Sequence, residues 1–291
     1  QHFLKYPHRA AQIVHCQNCT GDYLKDSKNM EEGYLVEKAE DCKHVYIGLG
    51  VKNSVDLSSF AWGEMLYEVA SSIELNHVAF STSTIQLHDS FYNFVCQSSG
   101  DLFGCVGMHR KNYCILNKQY SQNDYESLKA KIVEHMRATG EWGEFFPPSV
   151  SPFGYNETVA NEYFPLSHQE VLERGWNFLE EDPKDFRHQT YVVPDHIKDV
   201  RDDILESVLT CEETGRNFRV IPQELAFYRR HHIPIPRRHP QVRHLHRLQL
   251  QNPRRLWDWH CAKCNVAIQT TYSPERPEMV YCDSCYFKEI Y

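Results

Sequence analysis

HVAFSTSTIQLHDSFYNFVCQSSGDLFGCVG, residues 77–107, is the stretch whose reading decides the fold. It holds three short β-prone runs, HVAF (77–80), FYNFVC (91–96) and DLFGCVG (101–107), parted by polar clusters. GYLV (33–36) and HVYIGLG (44–50) repeat the pattern upstream, and residues 20–118 carry no helical period. Asn29, Asn53, Asn76, Asn93 and Asn112 recur at gaps of 24, 23, 17 and 19, and Phe60, Phe80 and Phe103 at similar gaps. A loose repeat of about 20 residues, made of short strands and turns, predicts a β-solenoid. Stacked rungs would then set like residues above each other as amide ladders and aromatic stacks. An ordinary antiparallel β domain is the alternative.

Downstream the pattern changes. Ser121 can cap a helix over 121–139, with Asp124 at the third helical position and Tyr125, Leu128, Ile132 and Met136 on one face. Gly140 can end it in the left-handed conformation. Ser167 and Glu170 form a second capping box before a short helix that stops at Gly175. Pro194 precedes an expected helix DHIKDVRDDILESVL (195–209), and two more are expected from Pro222 and Pro240.

The strongest chemical signal lies at the end. Cys261-x-x-Cys264 and Cys282-x-x-Cys285 offer four thiolates on two tight turns, the donor set of a closed tetrahedral Zn2+ site. VAIQTTY and MVYC between them are β-prone, and YFKEIY can begin a helix, which describes a zinc ribbon or treble clef. One structural zinc is expected, and four cysteines leave no open position for a catalytic water. A damaged copy precedes it: Cys211 is followed by Thr214, and His239 by Val242, where a working device would have cysteines. That copy is expected to hold no metal. Cys16-x-x-Cys19 is a lone pair that either completes a site with Cys42 or a histidine, or lies buried in the first rung.

These observations predict an α+β chain: a β-rich, solenoid-like domain over 1–120, an acidic helical region over 121–210, a degenerate ribbon with an Arg/His-rich segment over 211–256, and a zinc ribbon over 257–291. Eleven cysteines, an odd number with no signal peptide in view, argue against a disulfide framework and for an intracellular setting. No apolar run is long enough to span a membrane.

Charge is uneven. Residues 229–255 hold eight arginines, five histidines and no acid, whereas 121–210 hold 18 acids and 8 bases, within a net charge of −8. Arg229, Arg230, Arg237, Arg238, Arg243, Arg247, Arg254 and Arg255 are therefore candidate contacts for the phosphates of RNA or DNA. Trp257, Trp259 and Tyr272 are candidate stacking platforms for bases. Alternatively, the acidic region folds back on the basic one. No phosphate loop, zincin motif or nucleophile elbow occurs. His44, His77 and His88, near Asp41 and Asp89, are raw material without a defined reaction.

FGCVGMHRKNYCILNKQYS (103–121), EWGEFFP (141–147), SPFGYNETVANEYFPL (151–166) and residues 252–291 together resemble an uncharacterised family of zinc-ribbon proteins of candidate-phylum bacteria, with relatives in giant viruses. The resemblance runs from about residue 16 to the end. It implies Asn/Cys-rich repeats followed by two ribbons, the second intact here and the first matching only at Cys211. It implies no activity. The expected function is non-enzymatic zinc binding with nucleic-acid recognition. The alternative is a scaffold subunit of a viral or cellular assembly, inside a cell or a virion.

Overall fold

The computed structural model describes residues 3–290. Residues 1, 2 and 291 of the expected domains lie outside them. From Ile13 to Gln119 the chain winds into a β-solenoid of about nine turns. Successive turns pair in parallel: Lys28 with Glu40, Ile85 with Gln97, Gly100 with Asn112. The step is therefore 12 residues, shortened to 11 at the start, where Ile13 meets Leu24, and reset by an irregularity between Cys19 and Gly21.

From Tyr23 to Leu116 every third residue has a φ between +46° and +66°. Each turn is thus four sides of three residues, with a left-handed corner between sides. Non-glycine residues rarely adopt that conformation. Here it recurs because the ladders to the turns before and after hold each corner in place. The residue after each corner points inward, giving a core of Leu24, Met30, Val36, Val45, Leu57, Leu75, Val78 and Leu102 among others. Four inward side chains must share each turn, so large ones need small neighbours. Phe60 is balanced by Gly63, where a Cβ would come within 2.8 Å of the phenyl ring.

The repeat of about 20 residues read from the sequence is corrected by this register. Asn29 and Asn53 share a column two turns apart, but Asn29 bonds Asp41. Asn93 points inward and accepts from the Cys105 amide. One Asn–Asn contact exists among the described residues, Asn18 to Asn29 at 3.1 Å. Phe60 lies in the inner core, whereas Phe80 and Phe103 lie outside it with Tyr92 between them.

Inward polar residues have a definite task. The Oγ atoms of Ser27, Ser54, Ser72, Ser81, Ser90 and Ser99 each accept the amide of the residue 12 further on. Ser81, fully buried, also donates to the Ala79 carbonyl at 2.9 Å. A buried amide without a partner is costly. Ser81→Ala, which orphans the Asn93 amide, is expected to cost about 1–3 kcal/mol in urea unfolding. Ser81→Cys is expected to cost less, since Cys42, Cys96 and Cys105 occupy such positions and donate to carbonyls nine residues on.

Helix α1, Gln122–Thr139, is capped as expected, by Ser121 at one end and left-handed Gly140 at the other. Tyr125, Leu128, Ile132 and Met136 cover the outer aromatic row of Phe80, Tyr92 and Phe103, and Trp142 closes the cluster.

The chain divides into two compact units, one of residues 1–147 with 253–291, the other of 148–252. In contacts, α1 and the cysteine module therefore go with the coil. The second unit has four short helices, α2 (Val159–Tyr163), α3 (His168–Glu173), α4 (Pro222–His231) and α5 (Pro240–Leu248). Helix α3 carries the expected capping box. The helix expected over 195–209 is not formed. Two 3-10 turns, Ile197–Asp199 and Asp202–Glu206, stand there, followed by the strand Leu209–Thr210. Extended Val200 interrupts the path, and its carbonyl is taken by Arg229 at 2.8 Å. Tertiary bonds have overridden the local helical pattern.

Candidate metal centre

Cys261, Cys264, Cys282 and Cys285 converge, with all four sulfur atoms within 4.8 Å of one another. Cys264 Sγ and Cys282 Sγ are 3.7 Å apart. A tetrahedron with ~2.3 Å zinc–sulfur bonds has edges of ~3.8 Å, so the set fits a zinc ion. The first knuckle forms the turn of a hairpin, between strands Trp257–His260 and Ala267–Thr270. The second knuckle leads into helix α6, Asp283–Ile290.

Electrostatics point the same way. Burial opposes ionisation of the Cys261 thiol, but the backbone N–H groups of Cys264, Cys282 and Lys263 outweigh it and lower its pKa. Cys285 is pushed up, by desolvation first and then by the three neighbouring thiols. Four thiols this close cannot all ionise alone, and a bound divalent cation is what would let them.

The module is fastened to the start of the coil. Val280–Tyr281 pairs in parallel with His8–Arg9. The Arg9 guanidinium grips Asp283 at 2.7 Å and lies 5.1 Å from the Phe287 ring centroid. Thr271 Oγ1 donates to Asp22 Oδ2 at 2.6 Å in a buried bond, and Tyr272 Oη meets His8 Nδ1 at 3.2 Å. Sequence reasoning missed these anchors, since Asp22 and Arg9 look like ordinary surface charges.

The segment around Cys211, expected to be a damaged copy, has the same backbone hydrogen-bond pattern. Cys211 N donates to Arg216 O and Gly215 N to Cys211 O, as Cys261 N does to Val266 O and Asn265 N to Cys261 O, all at 2.9 Å. Gly215 and Asn265 are both left-handed. Glu212 N meets Arg237 O just as Ala262 N meets Val280 O. Helix α5 begins directly after His239, as α6 does after Cys282. Burial raises the Cys211 pKa, but the Thr214 hydroxyl and the amides of His239, Thr214 and Glu213 lower it further. Val242 is buried in the same apolar cluster as Cys211. Where the intact module has Cys264, Cys282 and Cys285, this segment has the Thr214 hydroxyl, His239 and the buried Val242. Among the described residues no other group of three or more ligands forms a metal cluster. Cys16 and Cys19 instead pack against the coil's core, with their thiols on the carbonyls of Val14 and Gln17.

The arginines meet acids. Arg229 bonds Asp202 at 2.7 Å, Arg237 bonds Asp195 at 2.6 Å and Glu212 at 3.5 Å, and Arg238 bonds Glu213 at 3.2 Å. Arg243, on α5, reaches Glu224 and the Tyr228 hydroxyl of α4. Arg254 lies over the Tyr46 ring and Arg255 over Trp257. Arg230 and Arg247 are exposed. Trp259 is 40% exposed and Tyr272 is half-buried. On the coil, His77 and His88 both meet Asp89, and His44 meets Asp56, not Asp41. No described helix is long and apolar enough to cross a membrane.

No family model matches the chain, and no curated protein matches it.

Proposed function

We propose that the chain is a non-enzymatic scaffold, a β-solenoid whose outer faces are its working surface and whose first turns are clamped by a structural zinc ion. The ladder between His8–Arg9 and Val280–Tyr281 carries this proposal. It places the second knuckle directly against the start of the coil. The metal's work there is mechanical. Cys261, Cys264, Cys282 and Cys285 would hold the ion, which supplies no reactive position when four thiolates surround it.

Phosphate binding loses support from the pairing of Arg229, Arg237, Arg238 and Arg243 with acids of the same unit. Exposed pairs are individually weak, about 0–1 kcal/mol, but each still has to be given up before a phosphate is met. What favours nucleic acid is the exposure of Arg230 and Arg247. The zinc-loaded protein, titrated with single- and double-stranded RNA and DNA across a salt series, is expected to show no steep salt dependence. A log–log slope of several units, reduced on replacing Arg237, Arg238, Arg243 and Arg247, would overturn the scaffold proposal in favour of phosphate neutralisation.

A further inference from the structure

One face of the coil carries an exposed tryptophan beside a shallow hollow. Trp62 sits at a corner with φ 60° and is 48% exposed. Gly50, one turn earlier, makes room for it: a Cβ there would fall 2.3 Å from Trp62 Cε3. The ring therefore lies against bare backbone. Along the following turns the same corner carries Glu74, Gln86 and Ser98. Gln86 Nε2 donates to Glu74 Oε2 at 2.8 Å, and Ser98 Oγ donates to Gln86 Oε1 at 2.9 Å. On the adjoining side Asn76 and His88 stand one turn apart in register. His88 is held through Nδ1 by Asp89 at 3.1 Å, which leaves Nε2 for another partner. Trp62, Glu74, Asn76, Gln86 and His88, with Leu75 and Leu87, bound a shallow hollow of 470 Å³.

The chemistry of this hollow is selective. The lining has no lysine or arginine and has a carboxylate in Glu74, so it disfavours phosphate. It offers both donors and acceptors: an amide at Asn76, a second amide at Gln86, a ring nitrogen at His88. An aromatic face flanked by planar polar groups suits a sugar, whose C–H face stacks on the ring while its hydroxyls bond the amides and carboxylate. Turns repeat at about 4.8 Å, close to the length of one pyranose in an extended β-1,4-linked chain. Successive sugars can then meet successive turns. We infer that this face binds a neutral β-1,4-linked oligosaccharide, one sugar stacked on Trp62 and its neighbours bonded to Glu74, Asn76, Gln86 and His88.

The test is titration of the full zinc-loaded chain with cellohexaose and with chitohexaose, followed by tryptophan fluorescence and calorimetry. Saturable binding of at least one of them is expected. Trp62→Ala should weaken it about tenfold or more, ~1.4 kcal/mol, while the protein still unfolds in a cooperative transition. Trp62→Phe, which keeps a ring, should retain most of the binding and guards against a folding artefact. Asn76→Ala should weaken binding several-fold. Absence of heat and fluorescence change with both sugars at millimolar concentration would sink the inference. So would binding that Trp62→Ala leaves intact, or binding of an oligouridylate through Trp62 where neither sugar binds.

Discussion

Chelation of the metal is expected to unfold residues 257–290 and release His8–Arg9, while the coil downstream of residue 30 persists. The module has little apolar core of its own: Cys261 and Val280 are buried, but α6 buries no residue. Structural zinc in small modules contributes about 10–16 kcal/mol of apparent binding free energy at neutral pH. Whole domains are typically stable by only about 5–15 kcal/mol, so the loss exceeds what this hairpin and helix can supply. Hydrogen exchange read by mass spectrometry should show peptides from 257–290 and from 3–25 losing protection together. Peptides from 30–115, held by ladders between adjacent turns, should keep theirs. Cys264→Ser and Cys282→Ser should reproduce the pattern without chelator. Unchanged protection over 257–290 in the metal-free protein would show that the four cysteines are not what holds this module.

A second zinc ion is expected when Thr214→Cys, His239→Cys and Val242→Cys are combined. The backbone for it already exists. Hydrogen bonds around Cys211 match those around Cys261 one for one, including the amides of Glu213, Thr214 and His239 aimed at the thiol. Loss of the Val242 side chain costs packing, on the order of 1 kcal/mol for a partial truncation of a buried valine. A four-cysteine site returns about ten times that. Metal analysis should rise from one zinc per chain to two. Cobalt substitution should double the thiolate-to-metal absorption. Adding Cys211→Ser to the triple variant should cut the second site's affinity sharply. A stoichiometry that stays at one would mean that the shared backbone does not suffice to place the ligands.

The metal cluster was legible because Cys-x-x-Cys puts two thiols on one turn whatever surrounds it. Helix α1 was legible because its cap, its apolar face and its terminal glycine agree with one another. The solenoid was legible only as a class. Its period hid because three-residue sides with left-handed corners give inward residues at every third position, matching neither the strand period of 2 nor the helical 3.6. The visible markers misled: Asn93 faces inward and Asn29 outward, so their spacing mixes columns. A count of small or apolar residues at every third position from Leu24 to Cys114 would have found the three-residue side. The missing helix at 195–209 could not be read locally, because what broke it is the reach of Arg229 from another element.

The clamp between the two ends also sets an order of events in time. Each turn of the coil finds its partner 12 residues later, so most of it can form as the chain leaves the ribosome. The strand His8–Arg9 cannot: its ladder partner is Val280–Tyr281, and Arg9 also waits for Asp283 and the second carboxylate oxygen of Asp22 for Thr271. At about 5–20 residues per second, the opening turn waits on the order of 12–50 s for its cover. Through that interval His8–Arg9, just ahead of the coil, presents unpaired backbone to its surroundings, which is when a nascent chain of this design is most exposed to pairing with a neighbour.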